Sequence, residues 1–422
     1  MILRLLALAA CMTSVPVWAE TIYLTADKMV DVVNGRLIDN PALVIEDERI
    51  VAVGQAGSLD IPGDATIIEL NGMTIMPGVM DMHTHLTGKA STHGYKGLAI
   101  SLPRAAITGV HNAQKTLMAG VTTVRNVGAD GFSDVALRDA VNEGDVPGPR
   151  IWASGPALGI TGGHCDSNLL PPRFESYGEG VADGPWAVRQ QVRKNIKYGA
   201  NTIKFCATGG VLSKGTKVGV QQYTEEEMVA IVDEAHRRGL IVAAHAHGTD
   251  GIKAAIRAGV DSIEHASFLD DEAIKLAKKN DTYLSMDIYD TEYILSEGSK
   301  AGMLPESIEK ERQTGSKQRD SFSRAWKAGV KMVFGTDAAV YPHGDNLKQL
   351  SRMVTFGMTP MEALQTATIE GATLLSETDN LGSLREGRYA DIIAVEGDPI
   401  EDITILENVD FVMKGGVVYK QP

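Results

Sequence analysis

The chain has 422 residues, 44% of them hydrophobic and 22% charged, enough for a large core and more than one folding unit. A formal net charge of −14 argues against nucleic acid or an anionic membrane as the main partner. Three cysteines in this length are too few for a disulfide framework.

Residues 1–19 read as an export leader. Arg4 is followed by an apolar run, and Val17-Trp18-Ala19 ends in small-X-small fashion before Glu20. A rival reading, Leu8-Ala9-Ala10-Cys11 with Cys11 lipidated, would leave an unusually short leader. No later segment has the uninterrupted apolar length of a membrane span. The mature protein is therefore expected to be exported, periplasmic or secreted, without a membrane span. Cys165 and Cys206 could pair in an oxidising compartment, but the sequence does not show that they approach each other.

From residue 20 to 77 the pattern is short β segments: Thr21–Thr25, Met29–Val33, Ala42–Glu46, Ile50–Gly54, Thr66–Leu70 and Met73–Ile75. Asn34-Gly35 and Asn71-Gly72 read as turns between them. From 78 to 380, helix-like segments alternate with short apolar strands, the signature of parallel βα units. The strands read as Val79–His85, Thr122–Val127, Arg150–Ser154, Thr202–Ala207, Ile241–His245, Ser262–His265, Tyr283–Met286 and Met332–Thr336. That is an α/β chain with the strand count of a (β/α)8 TIM barrel. Gly120, Gly199, Gly239, Gly259 and Gly329 sit where left-handed helix caps would feed the next strand. A last helix spans about Pro360 to Ser376. Strand-like segments then return over 381–422 at Leu381–Leu384, Ala390–Val395 and Asp410–Tyr419, with Lys414-Gly415-Gly416 as a hairpin turn. The two terminal parts are expected to form one small β-sandwich beside the barrel.

Barrels of this type carry their chemistry at the C-terminal ends of the strands. His83 and His85 close the first barrel strand and, two residues apart, point the same way. Alone, a His-X-His pair is as readily two inert, hydrogen-bonded side chains as a metal site. Lys204 lies in the fourth strand, His245 and His265 close the fifth and sixth, and Asp337 follows the eighth. Singly, Lys204 reads as a salt-bridged lysine and His265 as a satisfied core histidine; six at matching strand ends point to a metal centre.

This pattern resembles the amidohydrolase superfamily over nearly the whole mature length, including Met76-Pro77-Gly78 and Gly387-Arg388-Tyr389-Ala390-Asp391. Lys204-Phe205-Cys206-Ala207-Thr208-Gly209-Gly210, Ala244-His245-Ala246-His247-Gly248 and Ile263-Glu264-His265 look closer to one branch. That branch holds exported prolidase-like and carboxypeptidase-like dipeptidases, with ochratoxin-type N-acyl amino acid amidases as relatives. The resemblance implies two divalent metal ions, zinc first among them. His83, His85 and Asp337 would bind one and His245 and His265 the other. Lys204, as its N-carboxylate, would bridge them. A metal-bridging hydroxide would attack the carbonyl, with Asp337 as the general base and acid. The implied substrate is a small molecule, a dipeptide or N-acyl amino acid, cleaved to release its C-terminal residue.

Three further residues are candidates for substrate contact. His247 either shares the His245 face or lies in the following loop. His164, in Thr161-Gly162-Gly163-His164, resembles a branch motif whose histidine faces the substrate. Tyr223 precedes a helix starting near Thr224, capped with Glu227; it reads equally as a carboxylate contact or as a residue stapled to that helix. His93, His111, His236 and His343 match no motif and read as surface or loop residues. Asp287 or Asp290 could face a basic substrate side chain. Lactonase, phosphotriesterase or cyclic-amide hydrolase chemistry is the runner-up; a deaminase fits less well, because Lys204 is present. A non-catalytic barrel is the alternative of another class, disfavoured because all six positions are filled. The oligomeric state, a homo-oligomer included, is left open.

Overall fold

The structure, a computed structural model, describes residues 21–422. The expected leader, with Cys11, lies outside the described residues. The chain opens with five strands, β1 (Thr21–Asp31), β2 (Arg36–Asp39), β3 (Pro41–Glu46), β4 (Arg49–Gln55) and β5 (Thr66–Pro77). Eight barrel strands follow: β6 (Val79–Thr84), β7 (Val121–Asn126), β8 (Arg150–Ala153), β9 (Ile203–Cys206), β10 (Val242–Ala246), β11 (Ser262–His265), β12 (Tyr283–Ser285) and β13 (Met332–Val333). The chain ends in β14 (Ile392–Glu396), β15 (Phe411–Lys414) and β16 (Val417–Lys420).

The terminal strands join in one eight-stranded sheet, ordered β16-β15-β14-β5-β1-β3-β4 with β2 beside β1. β14 lies antiparallel to β5, with Ile393 opposite Met76, which attaches the end of the chain to its beginning. Leu24, Leu43, Ile45 and Ile50 share an apolar cluster with Ile392, Ala394, Phe411 and Met413, so the sheet folds over a core of its own. Two segmentations read from the sequence give way to single long strands. β1 runs through Asp27 and β5 through Asn71-Gly72, where the β1–β5 register shifts between Ala26 and Lys28. Polar residues and a glycine at a bulge look like a turn when the partner strand is not known. Leu381–Leu384 is not a strand: Leu381 and Leu384 are buried by packing in apolar clusters. The hairpin at Gly415-Gly416 forms, both glycines being left-handed at φ +55° and +74°.

The barrel strands pair in two parallel arcs, β6-β7-β8 and β9-β10-β11-β12-β13. Backbone hydrogen bonds close both seams. Leu158, beyond β8, donates to Lys204 at 2.9 Å and accepts from Cys206 at 2.9 Å. Across the other seam Met82 donates to Phe334 at 2.9 Å and Asp337 to His83 at 2.8 Å. The five glycines expected to end helices all adopt left-handed backbone, which costs a residue without Cβ little. The last helix is broken into Pro360–Thr366 and Ile369–Leu374. No helix among the described residues is long and apolar enough to cross a membrane.

Candidate metal centre

His83, in β6, and His85, just beyond its end, turn to one side with ring centroids 5.5 Å apart. The Nε2 atoms of His83 and His85 lie 3.3 and 3.2 Å from the same oxygen, Asp337 Oδ1. Asp337 is held there by left-handed backbone, φ +50°, immediately beyond the seam bond to His83. Across the barrel His265 also takes positive φ, +68°, at the end of β11. Two non-glycine residues in this sparsely populated region mark stored strain at one site. The His265 ring lies 5.0 Å from that of His83, 4.6 Å from His245 and 4.8 Å from His247. Three triads result, His83–His85–Asp337, His245–His247–His265 and His265–Asp287–Asp337, linked through Asp337 and His265.

These groups suit a divalent cation. His245 Nε2 and both ring nitrogens of His83 are buried without a well-formed hydrogen bond. Burial pushes the pKa of His245 and His247 well below the usual histidine range, leaving the rings neutral with lone pairs available. Lys204 lies buried on β9, opposite Ala243 of β10. Burial lowers its pKa against the pull of the Glu264 and Asp337 carboxylates.

Further residues set the orientation of these side chains. Asp287 Oδ2 meets His265 Nδ1 at 2.8 Å, and Gln318 Nε2 donates to Asp287 Oδ1 at 2.8 Å. Glu264 Oε2 lies 2.9 Å from His83 Nδ1. The other oxygen of Glu264 accepts from Arg125 at 2.8 Å. Asp81 accepts from Thr336 and Asn346, and burial raises its pKa to about 6.

A cavity of about 580 Å³ opens over this cluster, lined among others by His85, His164, His245, His247, His265 and Asp337. His247 Nδ1 is paired with Ser267 Oγ at 2.7 Å, and His164 Nδ1 with Ser213 Oγ at 2.8 Å. His164 stacks on His245 with centroids 4.0 Å apart. The structure thus brings His164 and His247 to the cavity.

Tyr223 is the exception. The expected capping box of Thr224 and Glu227 forms, and Tyr223 packs fully buried beneath it, edge-on to Phe205. Its hydroxyl donates to the Ala182 carbonyl at 3.0 Å. Burial raises its pKa, and no face is left for substrate. Tyr223→Phe is expected to lose about 1 kcal/mol of stability, the worth of one such bond, with KM unchanged. Thermal unfolding beside steady-state kinetics checks this.

Two histidines read as surface or loop residues belong near the site. His343 is buried, with Nδ1 3.1 Å from Thr116 Oγ1 and Nε2 3.3 Å from the His85 carbonyl. His93 lines the cavity, Nε2 3.2 Å from the Val340 carbonyl. Neither sits in a pattern that would have marked it. Arg125 also belongs with these residues; a charge directly after the β-branched stretch Val121–Val124 is the sequence signal that marks it. His111 is exposed and His236 pairs at the surface with Asp261 at 2.9 Å, as expected.

Together the closed parallel barrel and a metal-capable cluster at its strand ends define a barrel enzyme. The chain belongs to the amidohydrolase family, whose model matches residues 74–419. It is thus a hydrolase of amide bonds. It is 35% identical over 415 residues to ochratoxinase of Aspergillus niger, covering 92% of this chain and 85% of that protein. A solved Xaa-Pro dipeptidase with bound methionine in the active site superposes with TM-score 0.90 at 39% identity, covering 95% of this chain and 100% of the other. A prolidase complexed with N-methylphosphonate-L-proline gives TM-score 0.86 at 33% identity, over 95% of this chain and 100% of the other.

Proposed function

We propose that the protein is an exported, two-zinc amidohydrolase that releases the C-terminal amino acid of dipeptides or N-acyl amino acids. The observation that carries this reading is the convergence of His83, His85 and Asp337 with His245 and His265 beneath one cavity. The first three would hold one ion and the last two the other. Burial lowers the Lys204 pKa, which favours the amine form; that amine would add to carbon dioxide, losing a proton as the N–C bond forms, and as its N-carboxylate Lys204 would serve as the anionic ligand shared by the two ions. When bound, the ion pair supplies a Lewis acid for the carbonyl and acidifies water. Asp337 takes a proton from the attacking water and returns it to the amine nitrogen as the C–N bond breaks. His164 and His247, each with Nδ1 engaged, offer Nε2 to the substrate carboxylate.

The cavity wall also suggests which amino acid is released. Asp290 and Glu311 line it, and Asp290 Oδ1 is buried without a hydrogen-bond partner. Asp287, by contrast, is committed to His265 and Gln318. Burial, with the nearby Asp287 carboxylate, raises Glu311 to about 7 and lifts Asp290 well above the carboxylate range, and neither carboxyl forms an ion pair among the described residues. A guanidinium or ammonium group supplies that missing partner, which favours Arg or Lys at the substrate C-terminus.

The test is a hydrolysis panel of dipeptides and N-acyl amino acids with zinc-loaded protein. Basic C-terminal residues are expected to give the highest kcat/KM. Asp290→Asn should reduce kcat/KM for them by roughly 10- to 100-fold, about 1.4–2.8 kcal/mol, and leave neutral substrates within a few-fold. A panel blind to side-chain charge would remove the basic preference. Bound metal without any cleavage would redirect the reading to lactones, phosphotriesters or cyclic amides.

A further inference from the structure

We propose that a disulfide between Cys165 and Cys206 positions His164 over the centre, making substrate affinity depend on the oxidation state of this pair. The inference rests on the substrate-contact role given to His164 and on the proposed export.

Cys165 follows His164 directly, and Cys206 lies two residues after Lys204 on β9. Their sulfurs are bonded, with Cα atoms 6.1 Å apart. The bridge therefore ties the loop that carries His164 to the strand that carries Lys204. That loop, from residue 154 to 184, contains a single short 3-10 turn, Pro172–Phe174. Leu158, near its start, is buried in the core, but the part beyond His164 has little apolar anchorage: Phe174 and Tyr177 are 53% and 74% exposed. Many of its polar contacts are internal, such as Asp166 accepting from Gly162 and Gly178. At His164 the other ties run to Gln222 and Ser213, both outside regular helix and strand. The disulfide is thus the covalent cross-link from the middle of this loop to β9, beside the histidine that stacks on His245.

The bond is also open to attack. Cys206 is buried, but Cys165 is half-buried and lines the cavity. A dithiol reductant would break the S–S bond by exchange, leaving two protein thiols while its own pair is oxidised to a disulfide. In a reducing compartment the loop would then hold His164 through hydrogen bonds alone.

The test compares zinc-loaded enzyme before and after tris(2-carboxyethyl)phosphine, alongside Cys165→Ser. A phosphine takes up oxygen from water to become the phosphine oxide as the disulfide becomes two thiols, and it avoids the metal chelation of dithiols. Thiols counted in denaturant establish the redox state. KM is expected to rise roughly tenfold with kcat within about twofold, the mark of lost substrate positioning rather than lost chemistry. Hydrogen exchange across 159–181 should quicken, with metal content unchanged. A lowered melting temperature with KM and exchange unmoved would make the bridge a simple staple and overturn the proposal. If no substrate in the panel were cleaved, the hydrolysis reading would fail by itself. The exchange result would still decide whether the disulfide orders the loop.

Discussion

Lys204→Ala is expected to reduce kcat/KM for amide hydrolysis by roughly 10³-fold or more, since in the proposed mechanism its N-carboxylate would be the ligand common to both ions, worth several kcal/mol of charge stabilisation. Lys204 lies buried in β9, within electrostatic reach of His83, His164 and His245. Bound metal, counted by elemental analysis, should fall with activity, and a small carboxylic acid added to the variant should restore part of both. Retention of wild-type metal content with activity within tenfold would remove Lys204 from the centre.

Arg125→Met should lower the unfolding free energy by about 3–5 kcal/mol, the cost of leaving a buried charge without its partner. Arg125 is fully buried, donating from Nε to the Met82 carbonyl at 2.7 Å, from Nη1 to Ser262 Oγ at 2.9 Å and from Nη2 to Glu264 at 2.8 Å. Burial alone would raise the Glu264 pKa; Arg125 and His83 reverse that and hold it below the ordinary range. A depressed carboxylate contributes stability above its unfolded pKa and loses it as pH falls through the folded value. The gap between wild type and Arg125→Met should therefore narrow on acidification. The double variant Arg125→Met, Glu264→Gln should recover part of the loss. Urea unfolding of wild type, each single variant and the double variant at several pH values measures the cycle, and additive losses of Arg125→Met and Glu264→Gln in the double variant would show that the pair is not coupled.

Much of the barrel was legible because each βα unit repeats locally: apolar strand, amphipathic helix, left-handed glycine. The strand ends expected at His85, His245 and His265 lie within one residue of the ends of β6, β10 and β11 for that reason. The boundaries of β1 and β5 were not legible, since a bulge is defined by register with a partner strand. The buried apolar residues Leu381 and Leu384 could not be told from a strand by pattern alone.

At the site, residue types and strand-end spacing already singled out His83, His85, Lys204, His245, His265 and Asp337. What only the tertiary structure decided is which neighbours surround them. Tyr223 had two equal readings until burial and the Ala182 carbonyl assigned it to packing. Asp287 and Asp290 looked interchangeable until His265 and Gln318 engaged the first and left the second with a bare oxygen. Cys165 and Cys206, far apart in sequence, meet because a loop crosses from β8 over β9. Periodicity and strand-end position are local properties of a chain, so the sequence by itself determined the barrel and its principal metal-capable residues. Burial, hydrogen-bond partnership and disulfide pairing depend on residues tens to hundreds of positions away, and folding alone brings those together.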